Sequence, residues 1–216
     1  MSHDHDHDDS GDHGHSHYDS PASRRARSSF EVRAMALEAA LVENGVLTTD
    51  AIDAFVDIME HRFGPHHGAR AVAKAWSDPG FKQRLLADAN AALTDLGIGG
   101  TEGNVRVVEN TDDIHNMVVC TLCSCYPWPL LGLPPTWYKD YAYRSRAVLE
   151  PRSVLKEFGV EIDPDVRIAV WDSSAEVRYF VLPQRPSGTE HMSEDELAVL
   201  VDRNSMIGTG VVPAPA

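Results

Sequence analysis

Three cysteines, Cys120, Cys123 and Cys125, stand within six residues, and the chain of 216 has no others. They occur in the run Val118-Val119-Cys120-Thr121-Leu122-Cys123-Ser124-Cys125-Tyr126-Pro127-Trp128, with the spacing Cys-x-x-Cys-x-Cys. Thiols this crowded do not read as independent core residues. Cys123 and Cys125 can point at one atom only if the backbone between them curls around it. That curl brings main-chain nitrogens into the same sphere as the sulfurs. A metal is the obvious occupant.

Three kinds of chemistry fit such a loop. A structural zinc site takes four Cys or His ligands in tetrahedral geometry, and His115 is the nearest candidate for a fourth. A redox Cys-x-x-Cys pair stands at a helix start, whereas prolines and a third thiol follow here. The third is a trivalent, low-spin metal, which takes strong-field anionic donors. The sulfurs of Cys123 and Cys125 with the deprotonated amides of Ser124 and Cys125 supply four equatorial donors, and Cys120 an axial one. One position stays open for water or substrate, as a catalytic metal requires. Spacing alone leaves this third reading level with zinc.

The composition narrows the classes. A formal net charge of -14 offers no basic excess to neutralise phosphates, which argues against nucleic-acid binding. No apolar run is long enough to span a bilayer, and no signal-peptide pattern leads the chain, so the expectation is a cytoplasmic protein away from membranes. An odd cysteine count also argues against a disulfide framework. Residues 1–27 carry His3, His5, His7, His13, His15 and His17 among aspartates, and read as a disordered tail, either simply solvated or loosely gathering divalent metals.

The elements that must hold the loop follow from periodicity. Ser28 and Glu31 have capping-box spacing ahead of a helix with Val32, Met35, Ala36, Ala39 and Ala40 on one stripe, closed by Gly45. A second helix runs from Thr49 with Ile52, Phe55, Val56, Met59 and Phe63 inward, and Gly64-Pro65 stops it. A third is expected over 69–76. A fourth opens at Pro79, buries Phe81, Leu85, Leu86, Ala89, Leu93 and Leu96, and closes at Gly97. After Gly99-Gly100 the period becomes that of strands, around Val105–Val107 and Met117–Val119. The prolines at 127, 129, 134 and 135 predict an irregular loop. A helix from Pro135 through Ala147 and another from Pro151 to Gly159 come next. Strands over 166–171 and 177–182 are joined by the turn at 172–175. Ser193 and Glu196 cap a last helix with Leu197, Leu200 and Val201 inside. The result is α+β: a helical extension over 28–98, a layered α/β/β/α-type domain carrying the cysteine loop over 99–208, and a tail over 209–216.

The run C-T-L-C-S-C-Y-P-W-P, followed by L-G-L-P-P-T-W-Y-K, closely resembles the α subunit of nitrile hydratase. The resemblance extends to G-A-R-A-V-A-K-A-W-S-D-P-G-F-K (68–82), V-W-D-S-S-A-E-V-R-Y (170–179), Q-R-P-S-G-T-E (184–190) and D-R-N-S-M-I-G (202–208). It covers about Phe30 to Gly208.

The resemblance implies sulfur ligation by Cys120, Cys123 and Cys125, with the amide nitrogens of Ser124 and Cys125 completing a claw. It implies that Cys123 is oxidised to sulfinate and Cys125 to sulfenate, while Cys120 stays a thiolate. Thr121 and Tyr126 match the cobalt version, so non-corrin cobalt(III) is expected over iron(III). The reaction would be hydration of a nitrile to its amide, with Cys125 delivering or activating the oxygen, Ser124 orienting substrate and Trp128 in an apolar pocket. Expected partners are a β subunit in an αβ unit that can pair further, a small nitrile and a cobalt-delivery activator. The rivals are a subunit similar to thiocyanate hydrolase γ and a non-catalytic metal store. Outside the loop, His115 reads as a supporting or surface histidine rather than a ligand. Arg144 and Arg146 read as partners of carboxylates or of a second subunit. Asp172, Glu176 and Arg178 read as an outer network or a solvated hairpin, and Trp76, Trp137 and Trp171 as core or interface aromatics.

Overall fold

Helix α1 (Ser29–Glu43) closes where its glycine predicts: Gly45 has φ 68°, and the amide of Val46 reaches back to the carbonyl of Leu41 at 2.9 Å. That pattern needs a left-handed residue after the last turn. The computed structural model describes residues 29–58, 64–98, 103–123 and 125–215, with side chains from residue 31. The proposed Ser28 cap, Met59, Phe63, the Gly99-Gly100 break, Ser124 and the histidine-rich tail lie outside the described residues.

Helix α2 (Thr49–Asp57) is capped by Thr48, whose hydroxyl accepts the amide of Ala51 at 3.1 Å. None of residues 31–58 is buried. The apolar stripe read from the sequence, including Val32, Met35 and Phe55, faces outward in the single chain.

Helix α3 (Gly64–Ser77) begins at Gly64-Pro65. Those residues therefore open a helix, earlier than the expected start at 69, because proline is readily accommodated in a first turn. The expected single helix from Pro79 to Leu96 is two, α4 (Pro79–Ala87) and α5 (Ala89–Asp95). Asp88 separates them by leaving helical geometry, with φ -144° and ψ 90°, and accepting the amide of Ala91 at 3.0 Å. Phe81, Leu85 and Leu93 are buried as expected, but the break turns Leu86 to the surface.

Strands β1 (Asn104–Glu109), β2 (Ile114–Val119), β3 (Arg167–Asp172) and β4 (Val177–Leu182) form two parallel pairs, β1 with β4 and β2 with β3. The 172–176 link is thus not the turn of a hairpin. The amide of Ser173 still bonds to Val119 at 2.7 Å while the chain bends across to the other sheet. Helices α4 and α5 lie on β1. Helices α7 (Tyr141–Leu149) and α8 (Pro151–Glu157) lie on β2 and β3, and β4 meets β2 between the sheets. This is the expected α/β/β/α layering; it buries most of β2 and the second half of β4, while β1 is partly covered and β3 has no fully buried residue. Helices α3 to α5 share one buried cluster with Val118, Cys120, Leu131 and Phe180.

The proline-rich stretch is more regular than expected. It holds a one-turn helix, α6 (Trp128–Leu131), and a 3₁₀ turn over Thr136–Lys139. Asp140 then caps α7 through the amide of Ala142 at 2.8 Å, splitting the helix expected from Pro135 to Ala147. Past the capping box of α9 (Glu194–Leu200), where Ser193 and Glu196 bond reciprocally, a further helix α10 (Arg203–Ile207) ends at left-handed Gly208. That helix was absent from the sequence reading, which ended the helical structure with α9. Among the described residues no helix is long and apolar enough to cross a membrane.

Candidate metal centre

The cysteine loop leaves the buried end of β2. Met117, Val118 and Val119 are fully or nearly fully buried, so Cys120 is anchored in the core with no exposed surface. Cys123 is exposed and Cys125 half-buried. The Cys120 and Cys123 sulfurs are 3.5 Å apart, and those of Cys123 and Cys125 3.2 Å. All three lie within 4.8 Å of one another, and all are free thiols.

Thiolates about 2.3 Å from a shared ion stand about 3.3–3.8 Å apart, so the observed spacings let one ion touch neighbouring sulfurs at once. Zinc lacks its fourth ligand among the described residues. His115 sits roughly 16 Å back along the extended strand, buried between the carbonyl of Gly208 (Nε2, 2.8 Å) and the amide of Asn110 (Nδ1, 3.4 Å). It is therefore a buried structural residue and not a ligand. The redox reading also loses its helix, because residues 125–127 are irregular and α6 starts only at Trp128.

The Cys125 thiol is pushed up to about 12, first by burial, then by its hydrogen bond to Cys123 and the charges of its neighbours. A bound cation reverses that order of effects and makes thiolates the favoured form. The donor set therefore fits a cation held by clustered sulfurs.

Residues far apart in sequence fix the loop. Asp172, at the end of β3, accepts the Thr121 amide at 2.9 Å and the Thr121 hydroxyl at 2.5 Å. Tyr138 donates its hydroxyl to the carbonyl of Cys125 at 3.0 Å, and Tyr143 donates to Val118 at 2.8 Å. Both phenols are held well above their usual pKa, chiefly by burial, and so stay donors. Arg144 reaches the carbonyls of Cys123 at 3.1 Å and Thr121 at 3.5 Å. Arg146 meets the sequence expectation, with a two-bond contact to Glu157 (2.6 and 3.0 Å) and one to Glu150. Within this chain Arg144 binds loop carbonyls rather than a carboxylate.

Tyr138 and Arg144 were missed as loop supports. Their only signal was position, in the stretch just after the cysteines. Asp172 was noticed, but its role needed the parallel register that sets it opposite Val119. Trp171, level with Val118, donates its indole N–H to Asn116 at 2.8 Å, and Trp137 packs edge-on against Tyr143 and Phe158. Arg178 bonds the carbonyl of Ala175 at 3.0 Å.

Behind the loop, α3 backs α6 at contact distance. A Cβ on Gly64 would stand 1.9 Å from Gly132, and one on Gly68 2.6 Å from the carbonyl of Leu130. From α3, His67 Nδ1 is 3.2 Å from the carbonyl of Pro129. At the rim Leu122 is 85 % exposed and Trp128 46 % exposed. Cavities of about 670 Å³ (around Asp112, His115 and Glu161) and about 500 Å³ (around Val105, Trp171 and Tyr179) lie elsewhere and include no cysteine.

Fold and site together define a cysteine-cluster chain, an α+β body that converges three sulfurs on one outward loop. The model of the nitrile hydratase alpha chain matches residues 28–210. The cobalt-containing nitrile hydratase subunit alpha of Pseudonocardia thermophila is 60% identical over 186 residues, 85% of this chain and 90% of its own. The low-molecular-weight cobalt-containing subunit alpha of Rhodococcus rhodochrous is 58% identical over 193 residues, 89% and 93% of the two chains. A solved double mutant of the iron-type nitrile hydratase from Comamonas testosteroni Ni1 superposes with a TM-score of 0.73 at 39% identity, covering 89% of this chain and 98% of that one. The chain belongs to the nitrile hydratase alpha chain family.

Proposed function

We propose that this chain is the α subunit of a cobalt nitrile hydratase, adding water across the C≡N bond of a small nitrile to give the amide. The observation that carries the reading is the convergence of the Cys120, Cys123 and Cys125 sulfurs within 4.8 Å of one another. These sulfurs, with the amide nitrogens of Ser124 and Cys125, would hold cobalt(III), in preference to iron(III). When bound, the ion supplies Lewis acidity toward the nitrile.

The remaining roles belong to the chain. Cys123 is assigned as sulfinate and Cys125 as sulfenate, with Cys120 remaining a thiolate. Burial supports that division: solvent reaches the two assigned to oxidation, while Cys120 is sealed in the core. The Cys125 oxygen either attacks the nitrile carbon itself or takes a proton from the water that attacks. In the first case water then attacks the Cys125 sulfur to break the S–O bond, release the product and restore the sulfenate. Ser124 orients the substrate through its hydroxyl, and Trp128, three residues past Cys125, offers the apolar wall.

A β subunit completes the site. The loop opens outward beside Leu122 and Trp128, and α1 and α2 expose Val32, Met35, Leu37 and Phe55, an apolar arm suited to lie on a second chain. A cobalt-delivery activator is the remaining partner assigned.

The test is intact mass, metal content and turnover of the co-expressed αβ complex. One cobalt per αβ unit, three added oxygens on the peptide holding Cys123 and Cys125, and hydration of an aliphatic nitrile are expected. Turnover of thiocyanate alone would transfer the chain to the thiocyanate-hydrolysing class. Several labile metals per chain without turnover would make it a metal store.

A further inference from the structure

We infer that Arg144 is a positioning residue of the claw, holding its backbone in the ligating shape and carrying the countercharge of one amide donor. The inference rests on the claw reading above. Arg144 projects from α7, whose N-terminus Asp140 fixes, and its Nη1 donates to the carbonyls of Cys123 and Thr121. One guanidinium nitrogen thus joins the segment before the second cysteine to the second cysteine itself.

The Cys123 carbonyl is the chemically informative partner. It belongs to the same peptide group as the Ser124 nitrogen, and the two are conjugated. When that nitrogen acts as an anionic donor, its charge is shared with the Cys123 oxygen. A cationic hydrogen-bond donor on that oxygen meets the charge directly, and such charge-assisted bonds are about twice as strong as neutral ones.

The environment of Arg144 keeps its charge available for this purpose. Among the described residues it forms no ion pair, in contrast to Arg146 two positions on, which is fully engaged by Glu150 and Glu157. Its Nε is buried without a hydrogen-bond partner, and its guanidinium carbon lies 5.9 Å from the exposed Tyr141 ring. An arginine whose role was only to hold α7 would be paired as Arg146 is. Lysine at this position keeps the charge but is the shorter side chain and carries it on a compact ammonium, so it supplies the charge without the reach of Nη1.

The test compares wild type, Arg144→Lys and Arg144→Met, each co-expressed with the β subunit and supplied with cobalt. The rate of cobalt loss to excess chelator and the wavelength of the sulfur-to-cobalt absorption band are read, with thermal melting of the complex as the folding control. Arg144→Met is expected to lose cobalt on the order of tenfold faster with a shifted band, and Arg144→Lys to fall between it and wild type. Should Arg144→Met fail to assemble, Arg144→Lys carries the test, and wild-type retention with an unmoved band in that variant overturns the role. Wild-type retention and an unmoved band in a folded Arg144→Met complex overturn it equally. A wild-type complex that binds no cobalt refutes the claw reading instead, so the two failures are distinct.

Discussion

Asp172 and Thr121 meet where β2 and β3 end side by side, and a single carboxylate grips both the amide and the hydroxyl of the threonine. The loop's first turn is thereby tied to a strand about fifty residues downstream.

A double-mutant cycle measures that tie. Thr121→Val and Asp172→Asn should each destabilise the complex, and their coupling energy by chemical denaturation should be about 1–2 kcal/mol. Coupling near zero would show that the two residues act independently.

Close approach of α3 to α6 gives a second expectation. Gly64→Ala places a methyl 1.9 Å from the Gly132 backbone, with no flexible side chain to yield. The strain should cost about 3 kcal/mol or more, far above the gain in helix propensity of roughly 1 kcal/mol. Thermal unfolding checks this, and a variant as stable as wild type would mean that the two helices can separate freely.

His115 makes stability depend on pH. Burial lowers its pKa below the ordinary 6.5, against the raising effect of its bond to Gly208. With Nε2 donating to that carbonyl, Nδ1 accepts from Asn110, whose side-chain oxygen is already taken by the amides of Asn116. A second ring proton would face a donor. The unfolded chain takes up that proton first as pH falls, so the contribution present above pH 6.5 is lost below it. His115→Asn should therefore show a shallower fall in Tm than wild type between about pH 6.5 and 5. Parallel curves would remove His115 as the cause.

Trp128 bears on substrate rather than on metal. Trp128→Ala should lower kcat/KM for an aliphatic nitrile by about tenfold, the scale of one lost apolar contact, while cobalt content stays at the wild-type level. Lost cobalt would assign the indole to holding the claw.

How much of this was legible varied with the range of the interaction. Glycine stops at 45, 97 and 159, the capping box at Ser193 and the four strands are local features, and each stands where the pattern placed it. Asp88 and Asp140 fall inside the helices expected from Pro79 and from Pro135, because an aspartate within a helical period looks like a solvated position. Both instead cap a new helix and break the old one. The link at 172–176 is short enough for a hairpin, and only tertiary pairing shows that it crosses between sheets. For the same reason the sulfurs could be read from spacing, while their supports at Tyr138, Arg144 and Asp172 could not.

Both strand pairs join segments distant in the chain. β1 waits for β4 about seventy residues later and β2 for β3 about fifty later. During synthesis the cysteines leave the ribosome well before β3, and at roughly 5–20 residues per second the nascent loop spends seconds without its carboxylate clamp. Contacts this remote in sequence also form late in folding. The sulfurs themselves are local, all within six residues, so the loop can meet an ion before β3 exists, but the clamp on Thr121 that fixes the loop's shape arrives only with the finished sheet.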